Sequence, residues 1–348
     1  MIKSRHLRNF LCFLGAAFFM LLCGCTKKPL TEIAPGNEKQ TATVFAMDTV
    51  MDLTVYGDAS LLKGAAKIIT DLEGRLSVTD ENSEIFRLNK DKQATLSDDT
   101  LNLLSLAKDI CERTDGALDI TIYPVVKSWG FTTGDYRIPS EDELKRLLKT
   151  VDYKKLQICG YTATLPEDSM IDLGAVAKGY TGDRVIEYFK ENGVTSAIIS
   201  LGGNVQTLGS KPDGSPWRVG IADPFGAEYA GTLNVRDKCV ITSGSYQRYF
   251  EENKVRYHHI IDPATGSPAS GGLISVTVVG GQGAFCDALS TALFVMGKDK
   301  AIRFCSESND FDALLIADDG SIYITSGISE DFTPSVNYKN AVITVIKN

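Results

Sequence analysis

Residues 171–184 read IDLGAVAKGYTGDR. An apolar strand end runs into Asp172, Gly174 supplies a turn, and a helix is expected from near Ala175 to a stop at Gly193. The start of such a helix presents unpaired N–H groups and the positive end of its dipole, so it favours an anion. Lys178, one turn in, adds a full positive charge. Asp172 suits a ring N–H or a ribose hydroxyl, and equally suits a helix cap. Three glycines, Gly174, Gly179 and Gly182, crowd this short stretch. Glycine is costly in a plain helix start, so the segment is expected to do more than begin a helix.

Upstream, residues 43–56 alternate β-branched and polar side chains and read as strand. Leu61, Leu62, Ala65, Ile68, Ile69, Leu72 and Leu76 recur at helical spacing. The same pattern covers 98–111, with Ser97 or Asp98 as cap and Gly116 beyond the end, and Ser140–Glu143 is a capping box for a further helix. Downstream, strands are expected over 195–201, 217–222, 231–242, 256–262 and 273–280. Gly202-Gly203-Asn204 reads as a tight turn. Helices follow over 285–296 and 299–306, then strands over 311–317, 320–326 and 340–346. Helices and strands are both abundant without regular alternation. This predicts an α+β fold with mixed or antiparallel sheets flanked by helices, built as one large domain over 43–348.

The N-terminus speaks to compartment. Lys3, Arg5 and Arg8 precede a continuous apolar run from Phe10 to Leu22, too short for a stable span but suited to a signal-peptide core. Leu22-Cys23-Gly24-Cys25 resembles the lipobox of bacterial lipoproteins. Residues 1–24 are therefore expected to be a signal peptide and Cys25 the lipidated residue, with Cys23 the weaker alternative. Residues 25–42, which hold Pro29, Pro35 and Gly36, are expected to be a tether. The expected location is the extracytoplasmic face of the cell membrane.

The net charge of −8 becomes more negative once the basic leader is removed. That argues against nucleic acid and against charge-driven binding to an anionic membrane. A phosphate-bearing ligand would need a local positive site or a metal. The cysteines of the expected domain are widely spaced and contain no CxxC, which excludes a zinc site and predicts buried free thiols. No GxxxxGK[ST], GxGxxG or GxSxG segment is present in a suitable context.

Two features could carry chemistry. His258 and His259 stand side by side; on a strand they would face opposite ways, so one can act as a base while the other is structural. Asp287 and Thr291 are four apart on an expected helix and share a face. A carboxylate and a hydroxyl suit a hard cation such as magnesium, although Asp287 would also serve as a helix cap.

With these motifs in hand, the chain resembles the ApbE family of FAD:protein FMN transferases. The segments that carry the resemblance are FAMDTV (45–50), LSVTDENSEIFRLN (76–89), DGALDITIYPVVKSWGF (115–131), IDLGAVAKGYTGDRV (171–185), ISLGGNVQTLG (199–209) and TSGSYQRYF…RYHHIIDPATGSP (242–268) with DALSTALFVMG (287–297). They stand in the family's order and cover nearly the whole expected mature chain. The resemblance implies flavin or FAD contacts at Met47, Thr79, Ala117, Leu118, Asp119, Asp172, Lys178 and Ile260. It implies magnesium held by the Ala175 carbonyl, Asp287 and Thr291, and it selects His259 as the base.

The activity so implied is magnesium-dependent transfer of FMN from FAD to a threonine or serine hydroxyl of an acceptor protein, through a phosphoester bond, with release of AMP. The implied acceptors are exported or membrane electron-transfer proteins. Asp48 stands where the family more often has glycine. Thr79 stands where several relatives carry an aromatic or amide residue that bears on transfer against hydrolysis. The competing readings are a magnesium-dependent FAD pyrophosphatase yielding FMN and AMP, and a non-catalytic flavin- or solute-binding lipoprotein.

Overall fold

A computed structural model of the chain describes residues 38–226 and 228–347. The expected signal peptide, Cys25 and most of the expected tether lie outside the described residues. Residues 39–42, expected in the tether, are instead the first half of a strand, Lys39–Ala46, because Thr41 and Thr43 continue the alternation that pairs it with Thr49–Tyr56. The single strand expected over 43–56 is thus a hairpin. Met47 and Asp48 turn it, both in the left-handed region (φ 50° and 58°), the conformation that a two-residue hairpin turn requires.

Nine strands form one sheet whose spatial order follows chain order: Lys39–Ala46, Thr49–Tyr56, Ser196–Leu201, Asn204–Gly209, Cys239–Gly244, Leu273–Gly280, Asp312–Ala317, Ile322–Thr325 and Ile343–Ile346. Neighbours run antiparallel except the last pair, which is parallel. The α+β expectation with mixed sheets therefore holds. Gly202 and Gly203, both at positive φ, make the expected tight turn.

Period-two alternation gives the sheet two buried faces. Ile241, Val276 and Val278 point to a core shared with the helix Gly283–Met296, while Val240 and Val279 point to the opposite core. On the first face, Met51, Leu53 and Val55 meet the helices Ser60–Leu76 and Ala177–Glu191. On the second face lies a three-stranded sheet made of Trp217–Ala222, Tyr229–Val235 and Phe332–Pro334. Leu289 and Leu293 are fully buried, and each such side chain stabilises the fold by about 1.5–3 kcal/mol.

Several boundaries depart from expectation. The run 231–242 divides into Tyr229–Val235 and Cys239–Gly244, in different sheets, because Asp237 (φ 49°) turns the chain between them. The strand expected over 256–262 ends at His258. No strand leads into Asp172; only an isolated bridge joins Met170 to Ile122. Ser140 does cap its helix, accepting from Glu143 N at 3.3 Å. Ser97 gives no such cap and instead bonds Glu84. Among the described residues Cys111, Cys239, Cys286 and Cys305 are buried free thiols and Cys159 is exposed. No helix among them is long and apolar enough to cross a membrane.

Candidate active site

A cleft of about 490 Å³ opens where three chain reversals meet: the hairpin turn at Met47, the turn at Gly202, and the bend at His259. Met47, Thr79, Ala117, Leu118, Asp119, Asp172, Ala175, Lys178, His259, Ile260, Asp287 and Thr291 all line it. These positions span most of the chain, and the topology brings them to one place.

The helix Ala177–Glu191 forms one wall. It starts two residues later than expected, because Val176 and Ala177 first turn back onto the Leu173 carbonyl. Asp172 is not its cap. Its Oδ1 accepts from Gly174 N at 2.8 Å, closing a local turn. Burial pushes the Asp172 carboxyl up, opposed by the Gly174 bond and by Lys178 and Arg248. Among the described residues no backbone N–H outside the regular elements donates to the Ala175 carbonyl.

Asp287 is buried on the facing helix and accepts from Gly179 N at 2.8 Å through Oδ2. Burial raises its pKa, and Lys178 is the largest opposing influence. It does not cap its own helix. That cap comes from Asp183, whose Oδ1 and Oδ2 accept from Gly283 N and Ala284 N at 2.6 and 2.9 Å. Burial pushes Asp183 up to about 6. Thr291 Oγ1 stands 3.2 Å from Ser243 Oγ. The Asp287 carboxylate, which the Asn204 side chain also faces, a hydroxyl and a carbonyl form an oxygen set suited to a hard cation. Groups of three or more His, Cys, Asp or Glu that could hold a metal are absent among the described residues, so any cation here would rely on neutral oxygens beside Asp287.

His258 and His259 are separated by the end of the strand. His258 is buried, its Nε2 3.0 Å from the Ala269 carbonyl and its ring edge-on to Phe294. His259 bends into the cleft, with Nδ1 3.1 Å from the Arg248 carbonyl. Burial, with Lys178 and Arg248 near, pulls its pKa down to about 4.

Asp119 lines the cleft, and its carboxylate is bonded within the fold. Its carboxylate accepts from Thr121 N, Thr121 Oγ1 and Tyr153 N, so its oxygens are committed to the fold. Thr79 is held in a local turn by Ser77 Oγ, and Ile260 is fixed by accepting from Ala269 N. The Met47 N–H donates to Glu73 Oε1 at 2.6 Å, which holds the hairpin turn against the cleft.

The sequence reading missed Arg248, Asn204 and Ser243, all in the cleft wall, and Asp183 behind it. Asp183 had one visible signal: it lies one helical turn beyond Gly179, on the face that the glycines open.

A model described as the ApbE family matches residues 47–315. The chain belongs to the ApbE family. Among its ApbE relatives, the FAD:protein FMN transferase of Vibrio cholerae is 30% identical over 90% of this chain and 96% of that protein. The protein of the same name from Klebsiella pneumoniae is 32% identical over 86% of this chain and 95% of its own length. Of solved ApbE structures, that of Thermotoga maritima superposes with a TM-score of 0.78 at 30% identity, covering 87% of this chain and 99% of that one. The flavin transferase ApbE of V. cholerae gives 0.77 at 27% identity, covering 84% and 99%.

Proposed function

We propose that this cleft transfers FMN from FAD to a serine or threonine hydroxyl of an acceptor protein, with Mg²⁺ at the phosphates and AMP as the leaving group. The similar proteins that carry the name FAD:protein FMN transferase support the reaction class. One observation carries the assignment to this site: the oxygen set of Ala175, Asp287 and Thr291 shares a cleft with Lys178 and a neutral imidazole. A bound magnesium would offset the charge of the FAD pyrophosphate in a protein that is acidic overall.

The chain's own groups then divide the work. Lys178 and the helix start behind it draw the pyrophosphate in. His259 is neutral at physiological pH. A neutral imidazole that faces a carbonyl through Nδ1 does so as an N–H donor, which leaves the Nε2 lone pair for the cleft. Nε2 takes the proton of the acceptor hydroxyl as its oxygen bonds the phosphorus on the FMN side. The bond from that phosphorus to the AMP oxygen breaks, and Lys178 faces the charge that develops. The incoming pyrophosphate also counteracts the cationic neighbours of His259 and so raises its basicity when it is needed.

The N-terminal pattern supports export with lipid attachment at Cys25, which places the acceptors among exported or membrane electron-transfer proteins. The test is incubation with FAD and Mg²⁺, with and without an acceptor. Flavin fluorescence on the denatured acceptor supports transfer. AMP formed at full rate without acceptor would make the protein a pyrophosphatase, and intact FAD would sink the catalytic reading.

A further inference from the structure

We infer that Asp183 is a positioning residue for the cation site: it ties the helix that supplies Asp287 and Thr291 to the helix that begins beside Lys178. This rests on the reading of Asp287 and Thr291 as cation ligands.

The two helices cap each other. Asp183 accepts from Gly283 N and Ala284 N, the first N–H groups of Gly283–Met296. Gln282, the residue before that helix, provides no side-chain cap. In return Asp287 accepts from Gly179 N, in the first turn of Ala177–Glu191, where Val176 also provides no cap. N–H groups at each helix start have no partner within their own helix, and here carboxylates of the opposite helix take them.

The backbones must touch for this exchange to form. A Cβ built on Gly179 would lie 2.2 Å from the Gly283 carbonyl oxygen, and one built on Gly283 would lie 2.5 Å from the Gly179 carbonyl oxygen. Gln206 locks the contact from the sheet, donating from Nε2 to the Gly179 carbonyl at 2.8 Å.

The geometry divides Asp287 between two tasks. Oδ2 is held by Gly179, and that bond orients the carboxylate beside Asn204. Asp287 meets Gly179 only if the first turn of its own helix is seated against the other. That turn begins with glycine and has no local cap, so it depends on Asp183. Loss of the Asp183 bonds would let the turn fray and would release Asp287 and, one turn on, Thr291. Asp183 does not line the cleft, so its effect on a cation is through the ligands it places.

The test titrates Mg²⁺ calorimetrically into the full-length protein in detergent, with FAD present, for wild type, Asp183→Asn and Val185→Ala. Val185 is fully buried on the same helix, where Asp183 is half-buried, and packs with Leu53 and Phe189, so its truncation lowers stability without touching the caps. Melting temperatures are recorded in parallel. Asp183→Asn is expected to weaken Mg²⁺ binding about 10-fold or more, the loss typical when a partner that orients metal ligands is removed. It should also raise the Mg²⁺ concentration for half-maximal transfer in step, with kcat largely recovered at saturating Mg²⁺. Val185→Ala should melt earlier yet bind Mg²⁺ like the wild type. Asp183→Glu, which keeps both acceptor oxygens but displaces them, should show a smaller loss and serves if the Asn variant does not fold. Mg²⁺ affinity that falls no further in the folded Asp183 variants than in Val185→Ala would overturn the inference alone. Failure of the wild type to bind Mg²⁺ at all would overturn the site reading along with it.

Discussion

The Nδ1 atom of His259 faces the carbonyl of Arg248 at 3.1 Å, and the His259 backbone N–H donates to the same oxygen. One acceptor therefore fixes both the backbone and the ring of the residue, and points Nε2 away from it. His259→Ala is expected to lower the rate of transfer about 10²–10⁴-fold, the range for loss of a positioned base. FAD affinity should be nearly unchanged, since the ring is not the main anchor of the pyrophosphate. Single-turnover transfer and equilibrium flavin fluorescence separate the two effects. A large loss of FAD affinity with an intact single-turnover rate would refute the base assignment.

The same burial has a consequence for stability. His259 drops from an ordinary value of 6.5 to about 4 in the folded protein. Between about pH 6.5 and about 4 the unfolded chain holds a proton that the folded chain does not, so acidification through that window destabilises the fold. Above it the residue contributes nothing to the pH dependence, and below it the penalty is complete. His259→Phe should therefore lose less melting temperature than the wild type across this window. Parallel melting curves would show that the imidazole is not held neutral.

His258 is the internal control. Its contacts are the Ala269 carbonyl and the ring of Phe294, both away from the cleft. His258→Ala should cost about 1–3 kcal/mol by urea unfolding, in the range for a lost buried hydrogen-bond partner. The rate at saturating FAD and acceptor should stay close to wild type. If this variant is the slower of the two histidine variants, the roles are reversed.

The long periodic elements were legible. The strand over 273–280 has its expected bounds, and the helix expected from near Ala175 to Gly193 is Ala177–Glu191. Turns built without Gly or Asn-Gly were not legible: Met47-Asp48 and Asp237 reverse the chain with residues that rarely adopt positive φ. The helix Glu84–Asp91 was missed because it is short and largely polar, and its Ser83 cap was not read. At the site, spacing could pair Asp287 with Thr291, because both lie on one helix. It could not place Met47 beside Thr181, a contact that joins the hairpin turn to a distant helix; family resemblance pointed to Met47 only as a flavin contact. The crowding of glycines in 171–184 was a true signal. Gly174 donates to Asp172, and Gly179 and Gly182 clear room for Gly283 and Gln206.

Thr291 and Asp287 should differ in a graded way. Thr291→Val keeps the shape and removes the hydroxyl, so the Mg²⁺ requirement should rise while folding is retained. Thr291→Ser should restore it. Asp287→Ala removes the proposed cation ligand and also the acceptor for Gly179 N, so it should abolish most turnover and lower stability as well. A ligand that binds only the folded state raises its stability in proportion to RT ln(1 + [L]/Kd). The increase in melting temperature that Mg²⁺ gives the wild type in the presence of FAD should vanish in Asp287→Ala. A persistent increase would move the cation elsewhere.

Two glycine-to-alanine changes in helices should act in opposite directions. Gly74 lies on the exposed side of Ser60–Leu76, and a Cβ there meets nothing within 4 Å. Gly74→Ala should stabilise by about 0.4–1 kcal/mol by restricting the unfolded chain and leave transfer unchanged. At Gly179 a Cβ would lie 2.2 Å from the Gly283 carbonyl oxygen and 2.7 Å from Asp287 Cβ. The first of these neighbours is backbone and cannot rotate aside, so the helices must separate. Overpacking of this kind costs about 1–3 kcal/mol or more. Separation also withdraws Asp287 from Gly179 N, so activity should fall along with stability. Denaturant unfolding and transfer rates on both variants check this directly: a Gly179→Ala protein as stable and active as wild type would mean that the two helices do not approach through their glycines.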